Sequence, residues 1–170
     1  MCGITAFSGK EDALPFLLQG LSKLEYRGYD SAGVTLVDNN SLFTLKTKGR
    51  LQNLIDQLDH DAPTGLVGIG HTRWATHGIP SNLNSHPHTN NNNTISLVHN
   101  GIIENYRDLK EKLLAQGYTF KSETDSEVVV HLLDFYYHGN MIEALKKVIN
   151  QIQGSYALCI VSTLEPDTVY

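Results

Sequence analysis

The sequence predicts a single domain of the α+β class. Its apolar patterns follow the order strand, helix, two strands, helix, two strands, three helices and strand, which differs from the regular alternation of βαβ units. A length of 170 residues suits one domain, because domains most often have roughly 100–150 residues. Hydrophobic residues make up 41% of the chain and charged residues 18%, a composition typical of folded proteins. No internal repeat or linker divides the chain.

Four segments in the first half of the chain have the apolar patterns of strands, and two have those of helices. The strands are 2–8, 33–37, 41–45 and 66–71, and the helices are 11–24 and 51–58. Asp38-Asn39-Asn40 is typical of a hairpin turn between the second and third strands. The segment 61–65 contains proline and glycine, so we expect it to end the second helix.

The second half is predicted to contain two strands, three helices and one long polar connection. The strands are 94–99 and 156–161. The first helix is 105–116 and the third is 141–152. The second helix lies between them and has the apolar face Val128, Leu132 and Phe135. Asn105 is predicted to cap the first of these helices, and Thr124-Asp125-Ser126-Glu127 has the pattern of a capping box before the second. The connection 78–93 is long enough to be a functional loop or a disordered tip. Within it we expect Asn90–Asn93 to be a bare hairpin tip and 78–88 to be of greater functional interest.

Charge and hydropathy argue against several functions. The 13 Lys and Arg against 18 Asp and Glu give a net charge of −5, which argues against non-specific binding to nucleic acid. No apolar run approaches the roughly 18 residues of a membrane-spanning helix, so no membrane partner is expected. The N-terminus lacks the pattern of a secretory signal. Cys2 and Cys159 are far apart in sequence and suggest no disulfide framework, so we expect a cytoplasmic protein.

Cys2 is a candidate nucleophile because of its position. A methionine aminopeptidase removes Met1 when the next residue is small, which would leave a thiol and a free α-amine on one residue. An α-amine has a pKa of about 7.7–8.0 and a thiol one of about 8.5, so the amine can act as the base that activates the thiol. The alternative is a small buried hydrophobic residue at the chain end, and position alone favours it.

Four ordered motifs give Cys2 a context. They are Met1-Cys2-Gly3-Ile4, the LEYRGYDSAG stretch at 24–33, the HTRWATHG stretch at 71–78 and His99-Asn100-Gly101. Together they resemble the class II glutamine amidotransferases along the whole chain, and YRGYDSAG is most similar to the glutamine–fructose-6-phosphate aminotransferases, also called glucosamine-6-phosphate synthases. The resemblance implies the N-terminal-nucleophile hydrolase fold, a four-layer αββα sandwich. Residues 1–170 would be its glutamine amidotransferase type 2 (glutaminase) domain, truncated at the C-terminal side.

The resemblance also implies roles for single residues. Cys2 would be the nucleophile, and Asn100 and Gly101 would form the oxyanion hole with a side-chain amide and a backbone N–H. Arg73 would hold the α-carboxylate of glutamine as a planar, bidentate donor. Asp125 would pair with the ammonium group of glutamine.

Further residues would contact the substrate or shape its pocket. Thr76 and His77 match positions in a mobile loop that closes over glutamine, and Trp74 matches a loop aromatic that gates the passage of ammonia. Arg27 would orient the region of the terminal cysteine.

Each of these residues also has a structural alternative. Arg73 could form a surface ion pair and Asp125 could be a helix N-cap. Asn100-Gly101 could be a tight turn after a strand, and Trp74 could simply be packed.

The histidines raise the question of a metal site. His71, His77, His86 and His88 include a His-x-His spacing that can bind zinc, but no acidic or cysteine partner is close in sequence. We therefore predict polar loop histidines, with no metal and no other cofactor. Cys159 lies in an apolar strand and is predicted to be inert.

The function that the resemblance implies is hydrolysis of the glutamine side-chain amide to glutamate and ammonia, through a γ-glutamyl thioester on Cys2. It also implies two sugar-isomerase domains after Tyr170, which would use the ammonia to make glucosamine 6-phosphate from fructose 6-phosphate, and a homodimer of the full-length protein. The loop 78–93 is expected to close on glutamine.

Three alternatives stay open. The chain could be a different class II amidotransferase, although LEYRGYDSAG counts against it. It could be a noncatalytic glutamine-binding or regulatory module, in which Arg73 and Asp125 would still bind the ligand but replacing Cys2 would leave both the affinity and the phenotype unchanged. It could also be a histidine-rich metal-binding protein, which elemental analysis would detect.

Overall fold

The chain forms two antiparallel sheets with helices on their outer faces in the computed structural model. The structure describes residues 2–38, 40–58, 63–74 and 79–170. In these ranges the strands are β1 (Gly3–Ser8), β2 (Ser31–Asp38), β3 (Ser41–Lys48), β4 (Val67–Arg73), β5 (His88–Thr89), β6 (Ile95–Ile103) and β7 (Gly154–Ser162). The helices are α1 (Ala13–Leu24), α2 (Leu51–Leu58), α3 (Tyr106–Ala115), α4 (Glu127–Tyr136) and α5 (Met141–Ile149), and a 3₁₀ turn, Glu25–Arg27, follows α1.

The two sheets pack against each other through their inner faces. The first sheet has the strand order β1-β4-β2-β3 and the second has the order β5-β6-β7. A buried hydrogen bond of 2.8 Å between the hydroxyl oxygens of Thr35 and Ser96 connects the sheets. The apolar contacts between them come from Val37, Leu42, Val67, Ile69, Val98, Cys159 and Val161.

Helices cover the outer face of each sheet. Leu17 and Leu21 of α1 and Leu54 of α2 pack on Val34 and Leu36 of β2, because leucines at helical spacing share one face of their helix. On the other side of the molecule, α3, α4 and α5 pack over β6 and β7 in a second apolar core. The order of layers is therefore helix, sheet, sheet, helix, which is the predicted αββα sandwich.

The polar connection before β6 differs from its predicted form. The side chain of Asn90 is 1% exposed, and its oxygen accepts hydrogen bonds from the backbone N–H groups of Thr94 and Ile95. Its amide donates to Asp134 at 2.7 Å. The prediction of a bare tip is therefore wrong for Asn90, which fastens the turn to α4, whereas 91–93 are exposed.

Two predicted helix caps are also wrong. Asn105 makes no side-chain cap on α3; instead it donates to the Gln151 carbonyl and accepts from the Gln153 N–H. The capping box at 124–127 does not form, because the Glu127 carboxylate accepts from two backbone N–H groups of the preceding loop. In both cases a contact outside the helix replaces the local cap, which sequence patterns do not reveal.

Candidate active site

A pocket of about 480 Å³ lies where the start of β1, the end of β4 and the second half of β6 come together. It brings together six residues that the sequence predicts as site residues, Cys2, Arg73, Trp74, Asn100, Gly101 and Asp125. Its walls also contain Arg27, His86, His99, Ile102, Thr124 and Ser126.

Cys2 lies half-buried in the pocket wall, directly before β1. The pairing of Gly3 with Thr72 holds it beside the end of β4. The backbone N–H of Trp74 donates to Cys2 Sγ at 3.2 Å, and Asn100 Nδ2 donates to the Cys2 carbonyl oxygen at 3.3 Å. Cys2 therefore lines the cleft with its thiol held at the Trp74 backbone; Met1 lies outside the described residues.

Cys159 provides a contrast within the same chain. It lies between the two sheets and is buried. Burial raises the pKa of its thiol to about 11, with a small opposing effect of the Ile160 backbone. A thiol with such a pKa stays protonated at neutral pH, which agrees with the prediction that Cys159 is inert.

Asn100 and Gly101 lie within β6, so the alternative of a tight turn is wrong. Gly101 pairs with Tyr156 of β7 and has a φ of +129°, a backbone conformation that L side chains rarely adopt. A Cβ on Gly101 would lie 2.0 Å from the Ser155 carbonyl oxygen. Glycine is therefore required for β6 to keep this backbone conformation while it stays paired with β7.

Replacing Gly101 by alanine is expected to destabilise the domain by more than about 3 kcal/mol, because backbone strain and a clash with backbone atoms add up. Gly139→Ala is the matched control, since Gly139 has a φ of +87° with open space around its Cβ position. It should cost only about 1 kcal/mol. Urea unfolding measures both values, and equal losses would contradict this description of β6.

Arg73 and Asp125 place opposite charges in the pocket wall. Arg73 ends β4 and is 4% exposed, so the alternative of a surface ion pair is wrong. Burial lowers the pKa of Arg73, while the charges of Asp30, Cys2 and Asp125 oppose the shift. Asp125 is 3% exposed, and its Oδ2 accepts from the backbone N–H of Ile103 in β6 at 2.7 Å; the N-cap position of α4 is the next residue, Ser126.

The segment that carries Asp125 is fixed by a chain of hydrogen bonds. Ser122 Oγ donates to the Glu127 carboxylate at 2.6 Å, so Thr124 Oγ1 must donate to Ser122 Oγ at 2.9 Å. Thr124 Oγ1 in turn accepts from His88 Nε2 at 3.0 Å. Burial acts to raise the pKa of Glu127, but His131, whose Nε2 lies 3.5 Å from the carboxylate, and hydrogen bonds from Ser122 and two backbone N–H groups lower it to about 2.

Four histidines form a buried cluster, and two of them, His86 and His99, also line the pocket. The ring of His86 stacks on His71 with centroids 4.4 Å apart, and it contacts His88 at 4.6 Å and His99 at 6.4 Å. All four are at most 4% exposed. The prediction of polar loop histidines is therefore wrong for His71, His86 and His88.

Lys46 explains how loop histidines become buried. Its ammonium group donates to the carbonyl oxygens of Leu83, Ser85 and Pro87 at 3.3, 2.7 and 2.9 Å. Burial lowers the pKa of Lys46 to about 8, partly opposed by Glu127. These bonds hold the polar segment after residue 78 against β3. His86 and His88, which belong to this segment, are thereby buried in the interior.

Acidification is expected to destabilise the domain below pH 6.5. Burial lowers the pKa of His71 to about 4, against an opposing hydrogen bond with Asn100, and lowers those of His86 and His88 well below their usual value. The unfolded chain then binds more protons than the folded one, so stability falls as the pH falls from 6.5 toward 4. His71 alone accounts for about 3 kcal/mol.

Urea unfolding at pH 7.5, 6 and 5 measures this loss. His138 is exposed, so His138→Gln should leave the pH dependence unchanged. Constant stability from pH 7 to pH 5 would contradict the burial of neutral histidines.

Trp74 and its neighbours form the mouth of the pocket. Trp74 is 47% exposed, and its ring meets the edge of Tyr29 with centroids 5.4 Å apart. The alternative of a packed tryptophan is therefore wrong. Arg27 lies in the pocket wall, as Cys2 does; a role in orienting the region of Cys2 stays a prediction. Thr76 and His77 lie outside the described residues.

Sequence reasoning missed several residues of the pocket wall. They are His86, His99, Ile102, Thr124 and Ser126. His99 precedes Asn100 in the same motif, and Thr124 and Ser126 flank Asp125, so proximity to predicted site residues was an available signal. His86 belongs to the segment 78–88, which was expected to be of functional interest, but no local pattern singles it out, because contacts with residues far away in the chain, such as His99 and Lys46, place it at the site.

The described residues contain neither a metal-binding cluster nor a membrane-spanning helix. In the ranges 2–38, 40–58, 63–74 and 79–170 no group of three or more His, Cys, Asp and Glu residues could hold a metal ion. Among the same residues no helix is long and apolar enough to cross a membrane.

Curated relatives resemble the chain over nearly its whole length. It is 57% identical over 169 residues to the glutamine–fructose-6-phosphate aminotransferase [isomerizing] of Clostridium acetobutylicum, covering 99% of this chain and 28% of that protein. The enzyme of the same name from Clostridium tetani is 56% identical with the same coverage. The chain thus spans 28% of the length of these relatives.

Solved structures and a family match agree with these relatives. Glutamine phosphoribosylpyrophosphate amidotransferase from B. subtilis superposes with a TM-score of 0.82 at 28% identity, covering 96% of this chain and 35% of that one. A glutamine aminotransferase class-II domain protein from Silicibacter pomeroyi has a TM-score of 0.59 at 16% identity, covers 96% of this chain and 73% of that one, and supports the fold alone. The fold is that of the N-terminal-nucleophile hydrolases, as predicted. Residues 71–169 match the family described as glutamine amidotransferase domain, and the chain belongs to this family.

Proposed function

We propose that this domain hydrolyses the side-chain amide of glutamine to glutamate and ammonia through a γ-glutamyl thioester on Cys2. One observation carries the proposal: a thiol, an amide donor and two opposite charges share one pocket. Cys2, Asn100, Arg73 and Asp125 all line the cleft of about 480 Å³. Such a pocket suits a zwitterionic amino acid whose side chain ends in an amide.

Arg73 and Asp125 hold the amino-acid end of the substrate. The guanidinium of Arg73 pairs with the α-carboxylate and the carboxylate of Asp125 with the α-ammonium group. Both side chains are almost fully buried, so their charges are only weakly screened by solvent. This clamp directs the far end of the substrate toward Cys2, and Thr76, His77 and Trp74 complete the contacts.

The reaction begins after removal of Met1, when the α-amine of Cys2 takes the thiol proton, directly or through a water molecule. The sulfur attacks the amide carbon, and Asn100 Nδ2 and the Gly101 N–H donate to the oxyanion. The proton then passes to the leaving nitrogen, ammonia departs and the thioester remains. Water attacks the thioester, which releases glutamate and restores the thiol.

We also propose that the chain is the ammonia-supplying part of a glucosamine-6-phosphate synthase. The high identity to two enzymes named glutamine–fructose-6-phosphate aminotransferase [isomerizing] supports this assignment over other class II amidotransferases. Sugar-isomerase domains of the full-length protein would receive the ammonia and transfer it to fructose 6-phosphate. We further propose a homodimer of the full-length protein, in the cytoplasm, where a reactive thiol stays reduced.

The charge clamp gives the test of substrate recognition. Asp125→Asn keeps an oxygen that can accept from the Ile103 N–H but removes the negative charge. We expect the KM for glutamine to rise about 10- to 100-fold with a much smaller change in kcat, since a hydrogen bond to a charged group contributes about 1.5–3 kcal/mol.

Glutamate release by the full-length protein, with and without this substitution, is the measurement. Lys146, which pairs with Glu143 on the exposed face of α5, gives the control Lys146→Gln, which should leave both constants unchanged. An unchanged KM in Asp125→Asn would contradict the clamp. Binding of glutamine without any hydrolysis by the wild type would favour the noncatalytic module instead.

A further inference from the structure

We propose that His71 is a positioning residue for the reaction: its neutral ring donates from Nε2 to Asn100 Oδ1 and thereby holds the Asn100 amide with Nδ2 toward the oxyanion. The inference rests on the proposed function, because it concerns the oxyanion donor. It adds a residue outside the pocket wall to the catalytic arrangement.

The first step is the orientation of the Asn100 amide. Asn100 Nδ2 donates to the Cys2 carbonyl oxygen at 3.3 Å, and Asn100 Oδ1 lies 2.8 Å from His71 Nε2. A flipped amide would place Oδ1 against the Cys2 carbonyl oxygen, where two acceptors would face each other. The carbonyl of Cys2 therefore fixes which end of the amide faces His71.

The second step is the tautomer of His71. Because the atom opposite His71 Nε2 is an amide oxygen, Nε2 must carry the proton. Nδ1 of His71 is buried and has no hydrogen-bond partner among the described residues, so no contact requires a proton on it. Burial also lowers the pKa of His71 to about 4, so the ring is neutral at physiological pH and has a single N–H to donate.

The third step is the fixation of the ring itself. His71 is 1% exposed, and the ring of His86 stacks on it at 4.4 Å with an interplanar angle of 24°. His86 Nδ1 accepts from the backbone N–H of His99 at 3.2 Å, so His86 Nε2 carries its proton and donates to Ser126 Oγ at 3.3 Å. The backbone of β6 thus sets the position of His86, which in turn packs against His71.

These contacts give His71 a role beyond filling space. The amide group of an asparagine can rotate about the Cβ–Cγ bond. An amide that rotates presents its N–H groups to the oxyanion for only part of the time. Partners that orient a reacting group typically change activity about 10- to 100-fold when they are removed. The same range is expected here, carried by kcat, because His71 bonds the side chain that donates to the oxyanion, and the oxyanion forms only in the transition state.

His71→Leu and His71→Gln test the inference in the full-length protein. Leucine fills most of the space but cannot donate, and we expect kcat for glutamine hydrolysis to fall about 10- to 100-fold with KM within about twofold of the wild type. Glutamine carries an amide N–H near the position of Nε2, so His71→Gln should restore most of kcat. Leu54→Ala is the control for effects of lost stability on activity. Leu54 is a core residue of α2, and its replacement should lower stability and leave kcat unchanged.

Equal kcat values for His71→Gln and His71→Leu would overturn the inference, as would a loss of kcat in Leu54→Ala of the same size. ¹⁵N NMR of histidine-labelled wild-type protein gives a second readout that does not depend on folding of the variants. We expect Nε2 of His71 protonated and Nδ1 unprotonated, and the opposite tautomer would overturn the inference while the proposed hydrolysis could stand. A wild-type protein that shows the expected tautomer but hydrolyses no glutamine would refute the proposed function. The hydrogen bond from His71 to Asn100 would still stand.

Discussion

Replacing Cys2 by serine is expected to reduce glutamine hydrolysis by about 10³-fold or more while the affinity for glutamine stays within about threefold of the wild type. A serine hydroxyl is a far weaker acid than a thiol, so an α-amine with a pKa of about 8 cannot ionise it effectively. Serine is also small, so Met1 removal and the α-amine are preserved. Arg73 and Asp125 remain to bind the substrate.

Glutamate release and equilibrium binding of glutamine measure the two quantities for Cys2→Ser. The matched control is Cys159→Ala, since Cys159 is a buried thiol whose pKa burial raises to about 11. This control should retain full activity with a modest loss of stability. Turnover by Cys2→Ser near that of the wild type would contradict a thioester on Cys2.

Replacing Asn100 by alanine is expected to lower kcat by about 10²–10³-fold with little change in KM. Asn100 Nδ2 donates one N–H to the Cys2 carbonyl oxygen at 3.3 Å, which leaves its second N–H for an oxyanion that forms only during the reaction. Loss of the donor therefore weakens binding of the transition state more than that of the substrate.

Steady-state kinetics of glutamine hydrolysis measure the effect of Asn100→Ala. Asn105→Ala serves as the control, because Asn105 bonds backbone groups at 151 and 153 next to the end of β6. It should reduce stability and leave kcat unchanged. A raised KM with an unchanged kcat in Asn100→Ala would show that Asn100 binds the ground state and would contradict the oxyanion hole.

The layers of the fold could be predicted because their signals are local. The leucines of α1 recur at helical spacing, and β2 and β3 pair across the predicted hairpin with Asp38 opposite Ser41. In these segments the apolar period and the turn residues agree with the tertiary structure. The fold class followed from the order of such elements, and its αββα layering from the family resemblance.

The candidate site could be predicted only through the family resemblance. Asn100-Gly101 has the local preference of a turn, but pairing with β7 draws both residues into a strand. The histidines of the polar segment look solvent-exposed in sequence, but Lys46 and the stacked rings of His71 and His86 bury them. Contacts between residues far apart in the chain decided these positions, and periodicity and capping rules do not register such contacts.

Mass spectrometry of the protein after incubation with a diazoketone analogue of glutamine tests the proposed chemistry most directly. The intact mass before treatment reports whether Met1 has been removed, and only protein without Met1 is used. We predict a single adduct that maps to Cys2 and is blocked by excess glutamine. Three results would contradict the proposed thioester chemistry on Cys2. They are an adduct on Cys159, an adduct that glutamine does not block, and no adduct on protein with a free Cys2 amine.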